Sequence, residues 1–158
     1  MFYVLLNQEE KAMRICASFG LAAFMCLALP AHAQVTLLNG LSVIDPYACA
    51  GDSAVYMGIQ STADYGDVLT GGSASIAQEV ELSTYVTELG VLRLRQLESL
   101  PINDDSTVEL LPGGNHFRLY GLADPLVADT SFPLKIEFTE LGEQEVTVPV
   151  VECEEIAP

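Results

Sequence analysis

The chain of 158 residues carries 22 acidic against 6 basic side chains, a formal net charge of −16, and half of its residues are hydrophobic. A surface so acidic repels nucleic acid and anionic membrane faces, because both are bound chiefly through Lys and Arg on phosphate. The length suits one ordinary domain with one core.

The first segment reads as a targeting signal rather than as part of the fold. Met13-Arg14 opens a basic stretch, Ala17 to Leu29 is almost wholly apolar, and Ala31-His32-Ala33 matches the small-residue A-x-A cleavage pattern. Residues 1–33 are therefore expected to be a leader with a signal peptide, cleaved after Ala33. Glu9 and Glu10 are out of place in a basic n-region, so a start at Met13 fits better than one at Met1. The apolar run is short for a membrane span and does not recur, so the domain 34–158 is expected to be periplasmic or secreted, without membrane insertion. Lipoprotein processing at Cys26 is disfavoured, since Ala23-Phe24-Met25 ahead of it makes a poor lipobox. Without the leader, four basic residues remain, Arg93, Arg95, Arg118 and Lys135, against twenty acidic ones. That surplus serves solubility, or draws a cation or a basic partner.

From Gln34 onward the sequence predicts short strands divided by turn chemistry, with no amphipathic helix. Val35 to Ile44 and Ala54 to Gln60 are β-prone, separated by Asp45-Pro46 and Gly51-Asp52. Ile76 to Ser83 and Val91 to Leu97 alternate apolar with polar residues, as half-buried strands do. Thr107 to Leu111, His116 to Tyr120, Phe132 to Glu140 and Gln144 to Val151 complete a set of about eight strands. One all-β domain of that kind is a sandwich or a Greek-key barrel. Period two places Phe117 and Leu119 toward the core, and so His116, Arg118 and Tyr120 on the opposite, accessible face.

Two cysteines, Cys49 and Cys153, remain after the leader, which predicts a disulfide in an oxidising compartment. A pair of soft metal ligands is the rival reading, although neither cysteine has a His or second Cys at ligand spacing. His116 is the single histidine left, and catalysis lacks the rest of any constellation. A Ser83–His116 pair would need an orienting carboxylate, with Glu81 or Glu88 the local candidates. The acidic tail Glu152, Glu154, Glu155 could join His116 in a weak site for a harder ion, although such a cluster is more often a solvated chain end.

Several stretches carry a family resemblance: AVYMGIQ, GDVLTGGSASIAQEVEL, GVLRLRQLESLPI, TVELLPGGNHFRLYGL and PLKIEFTELGEQEVTVPV, which cover most of Ala54 to Val150. In their order they resemble the periplasmic copper chaperones called PCu(A)C. The resemblance implies a cupredoxin-like β-barrel that carries Cu(I) on the pattern H-x10-M-x21-H-x-M, with a periplasmic or membrane-bound copper-assembly protein as partner. Laid on this chain, the four ligand positions fall on Ser83, Leu94, His116 and Arg118. Only His116 keeps a donor that suits a soft d10 ion; Ser83 offers a hard oxygen, Leu94 nothing, and Arg118 a permanent cation. Met57, the one methionine after the leader, is better explained by core packing. The resemblance thus points to a divergent family member with weak or lost Cu(I) binding. The other reading is a metal-independent binding module that uses the surface of Ser83, Arg118 and Tyr120 for a protein or a small anion.

Overall fold

The structure is a computed structural model that describes residues 35–36, 40–62 and 64–153. The leader, with Met13, Cys26 and Ala33, and the tail acids Glu154 and Glu155 lie outside the described residues. Eleven strands and no α-helix are found among those described. They are β1 (Val35–Thr36), β2 (Leu41–Cys49), β3 (Ala54–Ser61), β4 (Asp67–Ser73), β5 (Glu79–Glu88), β6 (Val91–Gln96), β7 (Leu100–Ile102), β8 (Thr107–Leu110), β9 (His116–Tyr120), β10 (Ser131–Phe138) and β11 (Gly142–Val151).

Strand order along the hydrogen-bonded path is β6-β5-β9-β3-β2-β11-β10-β4-β7, with β1 added to β2 and β8 to β3. The path has two free ends, so the fold is an open β-sandwich rather than a closed barrel. One layer runs from β6 to β2, and the other from β11 to β7. They join through a parallel pairing of only two residues, Val150 with Ala48 and Val151 with Cys49. Side chains from both layers fill one core. In β10 every second residue is buried, namely Phe132, Leu134, Ile136 and Phe138, and from the opposite layer come Val43, Val55, Leu82 and Phe117.

The run expected from Val35 to Ile44 divides into β1 and β2, which pair antiparallel with each other, and three further local features differ from the expectation of eight strands. First, Asp45-Pro46 does not end a strand but makes a bulge within β2, where pairing shifts between Ile44↔Gly58 and Tyr47↔Tyr56. The extra residue takes a left-handed backbone at Asp45 (φ 44°), and inverts the alternation beyond it. Leu41 and Val43 face the core before the bulge, Ala48 faces it afterwards, and Tyr47 is turned to the other side. Second, β5 starts at Glu79 rather than Ile76 and runs on to Glu88. Third, β4 and β7 go undetected by hydrophobic alternation. β4 holds Gly71-Gly72, and a side chain at Gly72 would come within 2.7 Å of the Lys135 carbonyl and 3.4 Å of the Phe117 ring. The glycine is needed because a side chain there would strike the backbone of the neighbouring β10 and crowd Phe117 of the other layer, which is why the strand lacks an apolar signature there.

Candidate functional site

The register of β5, β9 and β6 gathers the four predicted ligand positions. Ser83 pairs with His116, Glu81 with Arg118 and Tyr85 with Leu94. Side chains two apart on a strand share a face. Ser83, Leu94, His116 and Arg118 therefore lie on one face of three adjacent strands. The turn that presents His116 is Leu111-Pro112-Gly113-Gly114, closed by the Gly114 amide on the Leu111 carbonyl at 3.0 Å, with Gly113 at φ 80°.

His116 is 1% exposed, against the expectation that it is accessible. Its face was placed correctly, on the side opposite Phe117 and Leu119, but that side is covered. Tyr85 stacks on the imidazole with ring centroids 5.3 Å apart, and Tyr56 lies tilted at 6.1 Å. Tyr47, turned over by the β2 bulge, packs on Tyr56 at 5.2 Å. These three tyrosines come from three other strands, so nothing in the sequence around His116 announces them. Tyr47 itself could have been found only by recognising the bulge.

The hydrogen bonds define the imidazole's chemistry. Nδ1 lies 2.9 Å from the Gly114 carbonyl oxygen. A carbonyl can only accept, so in the neutral ring Nδ1 carries the proton and Nε2 keeps a lone pair. Ser83, also 1% exposed, has a hydroxyl with no hydrogen-bond partner. Tyr56 donates to Asp52 Oδ2 at 3.5 Å, and burial, then the Asp52 carboxylate and the neighbouring phenols, push its pKa up to about 12. Burial raises Tyr47 as well. Both remain protonated phenols at neutral pH and offer no phenolate to a metal.

This donor set does not fit Cu(I). Beside the His116 imidazole stand a neutral hydroxyl, a hydrocarbon and a guanidinium, none of which binds a soft d10 ion. Met57 is 2% exposed, pairs with Leu110 on β8, and packs in the core. No group of three or more His, Cys, Asp or Glu side chains could hold a metal among the described residues. Glu88 is engaged by Arg95 at 2.7 Å and Arg93 at 3.7 Å, and Glu81 stands opposite Arg118, so neither orients His116 as a triad acid would. Cys49 and Cys153 form a disulfide, with Cα atoms 5.4 Å apart, which removes them as ligands.

The fold is that of a PCuAC-type domain. The copper-bound PCuAC domain from PmoF2 superposes with a TM-score of 0.62 at 17% identity, covering 77% of this chain and 99% of that one. The solution structure of CuI-DR1885 from Deinococcus radiodurans gives 0.51 at 22% identity, over 80% of this chain and 82% of that one. A sequence relative is "Putative lipoprotein Lxx21020" of Leifsonia xyli subsp. xyli, 30% identical over 128 residues, 77% of each chain. The family model described as "Putative lipoprotein LpqE-like" matches residues 31–150. The chain belongs to this LpqE-like family, and its fold is that of the PCuAC domains.

Proposed function

We propose that the protein is an exported, metal-independent binding module that uses the end of the PCuAC fold where copper chaperones of that fold hold Cu(I). The observation that carries this reading is Arg118. A guanidinium stands two residues from His116 on the same strand face, at the position where a thioether would complete the shell, and like charges repel. Ser83 and Leu94 remove the remaining donors. The fold and the family are chaperone-like rather than enzymatic, and no catalytic pair is assembled among the described residues.

Copper delivery is the second reading, and one observation favours it. The Nδ1 contact to Gly114 leaves Nε2 unprotonated, the state a metal-bound imidazole requires, so His116 could share an ion with a ligand from a copper-assembly partner. A competition of the purified protein against a chromophoric Cu(I) chelator separates the two. The protein is expected to leave the chelator fully loaded, whereas stoichiometric retention of Cu(I) would overturn the proposal. Export itself is supported by the leader and by the lipoprotein name of the relative. N-terminal mass analysis of the envelope protein is expected to find Gln34 first, and a lipid-modified Cys26 would replace that reading.

A further inference from the structure

Three groups at the converted end have unmet hydrogen-bonding or charge, and together they specify a ligand chemistry. The Ser83 hydroxyl is buried without a partner, a state that costs about 1–3 kcal/mol and that an alanine would avoid. Arg118 is half-buried, and among the described residues no carboxylate lies within ion-pair distance of it. The other three cations of the domain are paired, Arg93 and Arg95 with Glu88 and Lys135 with Glu143. Nε2 of His116 is an acceptor, because Nδ1 donates to Gly114. The row therefore presents two donors, one of them cationic, and one acceptor.

We propose that Ser83, His116 and Arg118 bind a small oxyanion that carries one O–H group. Two of its oxygens accept from the Arg118 guanidinium and the Ser83 hydroxyl, and its O–H donates to His116 Nε2. Hydrogen phosphate and the 2-hydroxycarboxylates share this chemistry; sulfate, with no proton to donate, lacks it. The proposal rests on the metal-independent reading of this end. Tyr85, stacked on the imidazole and itself half-buried on β5, covers the site, so binding requires that the ligand displace its ring.

Two carboxylates oppose the anion. Glu81 faces Arg118 across the ladder, and Asp52 receives the Tyr56 hydroxyl. The remaining acidic charge is screened beyond a Debye length of about 8 Å at physiological salt. Glu81 competes most directly for the guanidinium, so its neutral variant should bind more tightly.

The test is a titration of the protein with phosphate, with 2-hydroxypropanoate and with sulfate at constant ionic strength, read on the 15N shifts of the His116 imidazole. Saturable movement of Nε2 is expected with phosphate or with the hydroxy acid, and which of the two saturates first identifies the source of the oxyanion. Sulfate should bind at least about tenfold more weakly for want of the O–H contact. Ser83→Ala should keep or raise the thermal midpoint yet lose about tenfold in affinity, Arg118→Gln should lose at least as much, and Glu81→Gln should gain. Absence of any saturable shift, or unchanged affinity in Ser83→Ala and Arg118→Gln, overturns the oxyanion site. A protein that binds neither oxyanion nor Cu(I) would sink this inference and leave the metal-independent reading standing, whereas retained Cu(I) would sink both.

Discussion

Asp67 shows how a single side chain can fix a junction between strands. It is 6% exposed at the start of β4, where Oδ1 accepts from the amides of Val68 at 2.7 Å and Glu140 at 3.0 Å. Oδ2 accepts from Leu141 N at 2.9 Å and Tyr65 Oη at 3.2 Å. Burial alone would raise its pKa, but the donors from Glu140, Val68, Leu141 and Tyr65 together outweigh burial and hold it below the usual carboxylate range. A depressed native pKa means that this stabilisation is complete above the unfolded value, about 3.9, and is lost as pH falls through the lower folded value. Asp67→Asn keeps the shape but turns an amide donor against backbone N–H groups, and should cost about 2–3 kcal/mol at neutral pH. Urea unfolding from pH 2 to 7 is expected to show the parent losing stability below pH 4 more steeply than the variant; parallel curves would refute the role. In the sequence Asp67 is one acid among 22, and two of its four donors, the amides of Glu140 and Leu141, lie more than seventy residues away in the chain, so no local pattern could mark the junction it makes. His116 was hidden in part for the same reason: its strand face followed from period two, but its burial depends on Tyr56 and Tyr85.

At the scale of elements, the strands that were legible are those with a clean apolar period. β10 and β11 alternate without a break and coincide closely with Phe132 to Glu140 and Gln144 to Val151. β4 was missed because Gly71-Gly72 interrupts its apolar period, Gly72 lying tight against the β10 backbone and Phe117, and the length of β2 was missed because Asp45-Pro46 reads as a turn while acting as a bulge. The β5–β6 hairpin shows a local conflict of another kind. Glu88 pairs with Val91, so Leu89 and Gly90 form a two-residue turn, and both have positive φ, at 53° and 79°. That is type I′ geometry, which suits Asn-Gly far better than Leu-Gly. Leu89 is also fully exposed, at 104%, and so gains nothing from burial. Leu89→Asn should stabilise the protein by about 0.5–1 kcal/mol, through relief of the left-handed backbone alone. A thermal midpoint that rises by a few degrees would agree, while a fall would mean that Leu89 makes a contact which this chain alone does not show.

The whole molecule depends on how its two layers are closed, and on whether the end that holds His116 keeps its older geometry. The parallel β2–β11 joint has two paired residues on each strand, and the disulfide runs from one of them, Cys49 at the end of β2, to Cys153 two residues after β11. It closes 104 residues of sequence, worth roughly 4–5 kcal/mol by loop entropy, and so staples the short joint between the two layers. Cysteine counting pointed to this bond, because the expected cleavage after Ala33 leaves Cys49 and Cys153 as the one pair, and the structure joins them. At the other end, the family resemblance places Ser83, Leu94, His116 and Arg118 at the intervals of a four-ligand pattern. The ladders put all four on one face, with Ser83 directly opposite His116 and Leu94 opposite the next same-face residue, Tyr85. If three substitutions are all that separates this end from a copper site, then Ser83→His, Leu94→Met and Arg118→Met together should yield a folded protein that binds one Cu(I) far more tightly than its parent. Arg118→Met alone should do little, because one imidazole and one thioether are an incomplete shell. The main cost is steric, since an imidazole at the 1% exposed Ser83 position must displace its cover, for about 1–3 kcal/mol. With the disulfide intact that loss is tolerable, so thermal unfolding should remain cooperative at a lower midpoint. Chelator competition on the triple variant then decides the matter: tight one-to-one Cu(I) binding means that the strand framework of the copper site persists beneath the altered side chains, and a well-folded variant with no gain means that the framework has moved.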